Sequence, residues 1–201
     1  MLEIYKNINA ATMSIEEINT KLSLLPANLQ TIISNYKINQ KKQQRITGIE
    51  LISTALLNNK MDANLISTIQ YNPFGKPFIN AEIDFSVSYS DNNTILVFIK
   101  NGSVGVDIEQ IKLIDYNLYK DYFTKNEWDF MNQNSFAEAI FFKLWTRKEA
   151  ALKAIGKGAF FDFKQVEVIN DHITIENKNL KLSTKLYENE YCFSIASTDL
   201  D

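Results

Sequence analysis

Gly105-Val106-Asp107-Ile108-Glu109 sets two carboxylates two residues apart. On a strand such residues point the same way. Side by side they repel, and they call for a cation or a proton between them. Trp145-Thr-Arg-Lys-Glu-Ala-Ala-Leu-Lys153 has a different period. On a helix, residues four apart share a face, so Trp145, Glu149 and Lys153 form one stripe. Asp107, Glu109 and Glu149 together supply three carboxylate ligands for a six-coordinate Mg2+, leaving positions for phosphate oxygens and water. Mn2+ takes the same ligands. Lys148, Lys153 and Arg147 add positive charge for phosphates. Gly156-Lys157-Gly158 follows as a basic element able to close over a polyanion. No Gly-x-x-x-x-Gly-Lys-Ser/Thr loop is present. Taken singly, each piece has a plainer reading: a solvated strand end, a helix ion pair, a core tryptophan.

Composition removes competing chemistries. The chain has 201 residues, 45% hydrophobic and 22% charged, which suits a folded globular protein. One Cys (Cys192) and one His (His172) leave no Cys/His zinc cluster and no internal disulfide. His172 sits in a Thr/Ile-rich segment with no nucleophile motif, so it reads as a surface strand or turn residue. The net charge of −3 gives no global field for nucleic acid. No apolar run approaches a membrane span, and Met1–Lys6 lacks a signal-peptide pattern. A cytoplasmic monomer, binding neither nucleic acid nor membrane, is the expectation.

The elements that must position these residues follow from periodicity. Ser14-Ile15-Glu16-Glu17 has the form of a capping box opening a helix. Leu29, Ile32, Ile33 and Tyr36 carry a second helical period, and Lys41 to Asn58 a third. Leu65 to Tyr71 reads as extended, and Asn72-Pro73-Phe74-Gly75 as a turn. Phe85–Ser90 alternates apolar and polar, the strand period. Thr94–Lys100 is an apolar strand, Asn101-Gly102 a hairpin turn, and Ser103–Glu109 the returning strand. Thr124-Lys-Asn-Glu127 and Ser135-Phe-Ala-Glu138 read as further capping boxes. The second opens a long helix ending at Gly156. Val166–Ile169, His172–Glu176, Leu180–Tyr187 and Tyr191–Ala196 read as an antiparallel meander.

Phe74-Gly-Lys-Pro77, Phe85-Ser-Val-Ser-Tyr-Ser90, Gly105-Val-Asp-Ile-Glu109, Phe123-Thr-Lys-Asn-Glu127 and Trp145-Thr-Arg-Lys-Glu-Ala150 with Lys153 resemble, in order and spacing, an Sfp-type 4'-phosphopantetheinyl transferase. The resemblance implies an α+β fold of two similar halves, pseudo-dimeric, each a small antiparallel sheet packed on a long helix. Residues 1–100 would form the nucleotide side of the coenzyme A site. Residues 101–201 would carry the metal ligands and the carrier-docking surface.

The implied reaction moves the 4'-phosphopantetheine arm of coenzyme A onto a serine of an apo acyl or peptidyl carrier protein, releasing adenosine 3',5'-bisphosphate. Asp107, Glu109 and Glu149 resemble the metal ligands, with Glu149 or a water it orients as general base. Lys153 resembles the diphosphate contact. Lys76, Pro77 and Ser88 resemble contacts to the nucleotide end, Lys148 a support for the same site, and Arg45 a 3'-phosphate contact. Phe123, Thr124, Glu127 and Trp128 resemble the docking region, with Lys120 and Lys125 nearby to steer an acidic carrier. The chain departs from the family's Phe-Asn-x-Ser-His-Ser at Ser86 and Tyr89. Tyr89 can donate one hydrogen bond but carries no charge, so weaker discrimination against 3'-dephospho-coenzyme A is expected. The alternative is a catalytically impaired coenzyme A- or carrier-binding module; the intact acidic residues and lysines argue against it.

Overall fold

A computed structural model of the chain describes residues 1–188 and 190–198. In chain order its elements are β1 (Leu2–Asn7), α1 (Ile15–Ser23), α2 (Ala27–Ser34), α3 (Asn39–Asn58), β2 (Gln70–Tyr71), β3 (Pro77–Phe78), β4 (Ile83–Ser90), β5 (Asn93–Lys100), β6 (Val104–Gln110), α4 (Lys125–Asn132), α5 (Ala137–Ala154), β7 (His172–Ile175), β8 (Lys178–Tyr187) and β9 (Tyr191–Thr198). One antiparallel sheet has the order β1-β5-β4, another β6-β9-β8-β7, and β2-β3 is a small ribbon. The class is α+β.

Alternation explains the layers. Leu96 and Phe98 of β5 pack with Phe85 against Ile49, Ile52 and Leu56 of α3. Ile95, Val97 and Ile99, on the other face of β5, meet Val106, Ile108, Phe193 and Ile195 of the second sheet. Leu180, Leu182, Cys192 and Ala196 then pack on α5. Each sheet therefore rests on its own long helix, and the two sheets share a core.

The sheets also meet edge to edge through side chains rather than a backbone ladder. Asp84, Ser86 and Ser88 project from the same face of β4. They accept the N–H groups of Val104 (2.8 Å), Val106 (3.2 Å) and Ile108 (3.3 Å) in register. Lys76 closes the end of this seam, donating to Asp84 Oδ2 (2.5 Å) and the Val104 carbonyl (3.1 Å).

Several local expectations need correction. Asn101-Gly102 turns the chain, but β5 and β6 do not form a hairpin: β5 bonds to β1 and β4, β6 to β9. The N-terminal stretch begins with β1, whose partner residues in β5 lie 87 to 97 positions away, beyond any local pattern. Leu65–Tyr71 is mostly a 3-10 turn (Ala63–Thr68) started by the Asp62 carboxylate, which accepts the Asn64 N–H. The boxes at Ser14 and Thr124 form as read, but α5 starts after Phe136 with no side-chain cap, so Ser135 is not its cap. Val166–Ile169 joins no strand. Its backbone is held instead by the side chains of Lys148, Glu127 and Arg147.

Candidate active site

Gly105 is the first requirement of the site. A Cβ there would lie 2.0 Å from the Ala150 carbonyl oxygen and 2.5 Å from the Ala154 nitrogen. Only glycine lets β6 press on α5 this closely. The contact brings Asp107 and Glu109 of β6 beside Glu149 and Lys153 of α5.

Lys153 Nζ donates to Asp107 Oδ1 (2.7 Å) and the Val106 carbonyl (3.1 Å). Ser88 also donates to Asp107 Oδ1, at 2.9 Å. Asp107 is only 4% exposed, and its Oδ2 is buried with no hydrogen-bond partner. Burial, and then the charge of Asp107, push the Glu109 carboxyl up to about 7; Lys153 opposes this and Glu149 adds to it. Glu149 is raised by burial first and Asp107 second, again against Lys153. Lys153 thus acts on all three carboxylates, with Lys112 a smaller influence on Glu109. Among the described residues no three Asp, Glu, His or Cys side chains are gathered into a finished metal cage. The donor chemistry nonetheless fits a hard divalent cation: all oxygen, excess negative charge, and one buried carboxylate oxygen left without a partner.

These groups line a cavity of about 470 Å³. Leu29, Ile33, Ile49 and Ile52 of α2 and α3 give it an apolar wall. In the same cavity the Arg45 guanidinium lies 4.7 Å from the ring centre of Tyr89 and 5.4 Å from that of Tyr36. Such stacking holds a cation without neutralising it. Arg45 makes no salt bridge among the described residues, and its Nε is buried without a hydrogen-bond partner. Tyr89 is packed so tightly on α3 that a Cβ on Gly48 would meet its hydroxyl at 2.3 Å. Burial pushes its phenol up, against the pull of Arg45. Asn72 ties the rim together. Its amide donates to the Gly156 carbonyl (2.7 Å), and its Oδ1 accepts the N–H groups of Phe74 (3.0 Å) and Lys76 (2.9 Å). Gly156, at φ 78°, ends α5 in the left-handed region as expected.

Asp107, Glu109, Glu149, Lys153, Lys76, Pro77, Ser88, Tyr89 and Arg45 all line this one cavity. Lys148 does not. It is fully buried, pairs with Glu127 at 2.7 Å, and donates to the carbonyls of Phe163 and Val166. Lys148 as a cofactor contact is therefore corrected: five residues from Lys153 on a helix, it points into the core. Arg147 is likewise structural, donating to the Val168 and Ile169 carbonyls and pairing with Asp171. Lys157 pairs with Glu176, so the Gly156–Gly158 element offers no free cation. Trp145 packs in an aromatic cluster with Phe141 and Phe163.

Of the docking residues, Phe123 and Glu127 are buried and cannot face a partner. Glu127 closes the α4 capping box and accepts the Val168 N–H at 2.9 Å. Thr124 and Trp128 stay partly exposed, with the Lys120 ammonium 5.7 Å from the Trp128 ring centre. Sequence reasoning missed Asp84, Asn72 and Tyr36. Asp84-x-Ser86-x-Ser88 carried a signal in its period, but nothing local shows that its polar face meets another strand.

A family model described as the 4'-phosphopantetheinyl transferase superfamily matches residues 103–196. The chain is 36% identical over 124 residues to the 4'-phosphopantetheinyl transferase gsp of Aneurinibacillus migulanus, covering 59% of this chain and 52% of that protein. It is 36% identical over 88 residues to the psf-1 transferase of Bacillus pumilus, covering 42% and 37%. A Haemophilus influenzae protein provisionally named as a 4'-phosphopantetheinyl transferase is 30% identical over 162 residues, covering 77% and 67%. The chain spans about half the length, or less, of the first two relatives. Motif spacing, matched region and relatives agree, and the chain belongs to the 4'-phosphopantetheinyl transferase superfamily.

Proposed function

We propose that this protein transfers the 4'-phosphopantetheine arm of coenzyme A to a serine of an apo carrier protein. One observation carries the reading: a single cavity is lined by the carboxylates, by Lys153 and by Arg45, whose guanidinium makes no salt bridge among the described residues. That arrangement suits a ligand with a diphosphate and a further phosphate one ribose away. Arg45 and Lys41 would take the 3'-phosphate. Lys153 would contact the diphosphate from its seat on Asp107. Asp107, Glu109 and Glu149 would hold Mg2+ or Mn2+, which when bound withdraws charge from the diphosphate oxygens.

In the transfer, the serine Oγ bonds to the phosphorus that carries the pantetheine arm. The bond from that phosphorus to the bridging oxygen breaks, and adenosine 3',5'-bisphosphate leaves. Glu149, or a water it orients, would accept the serine proton. Most of the gain then comes from positioning and electrostatics. Residues 1–100 would serve the nucleotide and 101–201 the chemistry. The carrier would dock near Thr124 and Trp128, with Lys120 and Lys125 steering its acidic surface. A cytoplasmic location suits this partner; among the described residues no helix is long and apolar enough to cross a membrane. Intact-mass measurement of an apo carrier incubated with the protein, coenzyme A and Mg2+ tests the reading. The expected result is the mass of one added arm; an unchanged carrier mass would refute it.

A further inference from the structure

Ser88 belongs to the seam between the sheets, yet it differs from its seam neighbour Ser86. Both are buried, at 5% and 3% exposure, and both accept a backbone N–H from β6. Only Ser88 also touches the acidic cluster. Its hydroxyl oxygen has three neighbours: the Ile108 N–H at 3.3 Å, Lys153 Nζ at 3.3 Å and Asp107 Oδ1 at 2.9 Å. The first two can only donate to it. A hydroxyl has one proton, so that proton must go to Asp107. Oδ1 then receives two donors, Ser88 and Lys153, while Oδ2 stays buried and unpartnered. A carboxylate held this way cannot swing without breaking a charge-assisted bond.

We infer that Ser88 is a positioning residue for the cation site, holding Asp107 by Oδ1 so that Oδ2 is left for a divalent ion. This rests on the cation site proposed above. It gives Ser88 a role other than direct contact with the nucleotide, and it links the first sheet to the chemistry of the second. Groups that orient a metal ligand commonly change metal affinity 10- to 100-fold when removed.

The test is Mn2+ titration of the full chain with the metal alone, followed by the electron paramagnetic resonance of free Mn2+, with thermal melting of the metal-free protein alongside. Wild type should bind Mn2+, and Asp107→Asn should abolish that binding. Ser88→Ala should weaken it about tenfold, while Ser86→Ala, which removes the matched seam contact, should leave it unchanged. Ser88→Cys, a weaker donor, should fall between wild type and Ser88→Ala, and it serves if the alanine variant does not fold. Wild-type affinity in both Ser88 variants, or equal weakening by Ser86→Ala, would overturn the inference. Absence of Asp107-dependent Mn2+ binding in wild type would instead remove the cation site itself, and this role with it.

Discussion

Lys148 and Lys153 leave the same helix five residues apart and each pairs with a carboxylate at 2.7 Å, yet their surroundings differ completely. Lys148 and Glu127 are both fully buried, and the ammonium has two carbonyl acceptors besides. Burial draws the Lys148 ammonium down, and Glu127 opposes that shift. Every polar group there has a partner, so the pair clamps α4, α5 and the 163–168 segment together. Lys153 is 27% exposed and faces the cavity, where its carboxylate partner keeps one oxygen free. A satisfied buried pair fixes the fold; an unsatisfied one at a cavity edge is ready for a ligand. On one helix, two lysines five residues apart thus face the core and the cavity.

Breaking the two pairs should separate these roles. Lys153→Ala should lower transfer to a carrier by about 10²–10³-fold, the range for removing one preorganised electrostatic contact, with a smaller loss of stability than at Lys148. Steady-state rates and thermal melts on the same samples check this. Lys148→Met should do the reverse. It leaves Glu127 buried and unpaired, at about 3–5 kcal/mol, which corresponds to a fall in Tm of roughly 10 °C. Protein still folded should retain transfer, and adding Glu127→Gln should recover part of the stability. A Lys148→Met protein with wild-type Tm but no activity would invert the comparison. Gly105→Ala tests the contact that brings Lys153 to Asp107. Its Cβ would overlap the Ala150 carbonyl, so about 1–3 kcal/mol of stability should be lost, together with transfer. The smallest effect belongs to Tyr89, whose ring lies beside Arg45. Tyr89→His should raise the preference for coenzyme A over its 3'-dephospho form a fewfold, read as a ratio of kcat/KM values. An unchanged ratio would show that Tyr89 already serves the phosphate.

What the sequence made legible follows physical range. Asp107, Glu109, Glu149 and Lys153 could be read because strand and helix periods fix which residues share a face, and Gly156 marks a helix end; that Gly105 marks a close approach shows only once α5 lies against it. The caps at Ser14 and Thr124 could be read because a capping box is complete within four residues. β1 could not, since its partner β5 is distant and its own alternation is that of a half-exposed edge. The supposed hairpin at Asn101-Gly102 failed for the same reason: a turn signal says that the chain reverses, not which strand it then meets. Asp84, Ser86 and Ser88 look like a solvent face, but they are paired with β6. Lys148 and Arg147 look like phosphate binders because charge alone does not reveal which carbonyls lie opposite.

Asp107 and its neighbours are proposed above as the reacting groups of a cavity that serves carrier modification. The most direct measurement is the intact mass of an apo carrier after incubation with coenzyme A, Mg2+ and either wild type or folded Asp107→Ala. Wild type should add the arm, and the variant should add it at least about 10²-fold more slowly. Equal rates from the two proteins would contradict that assignment.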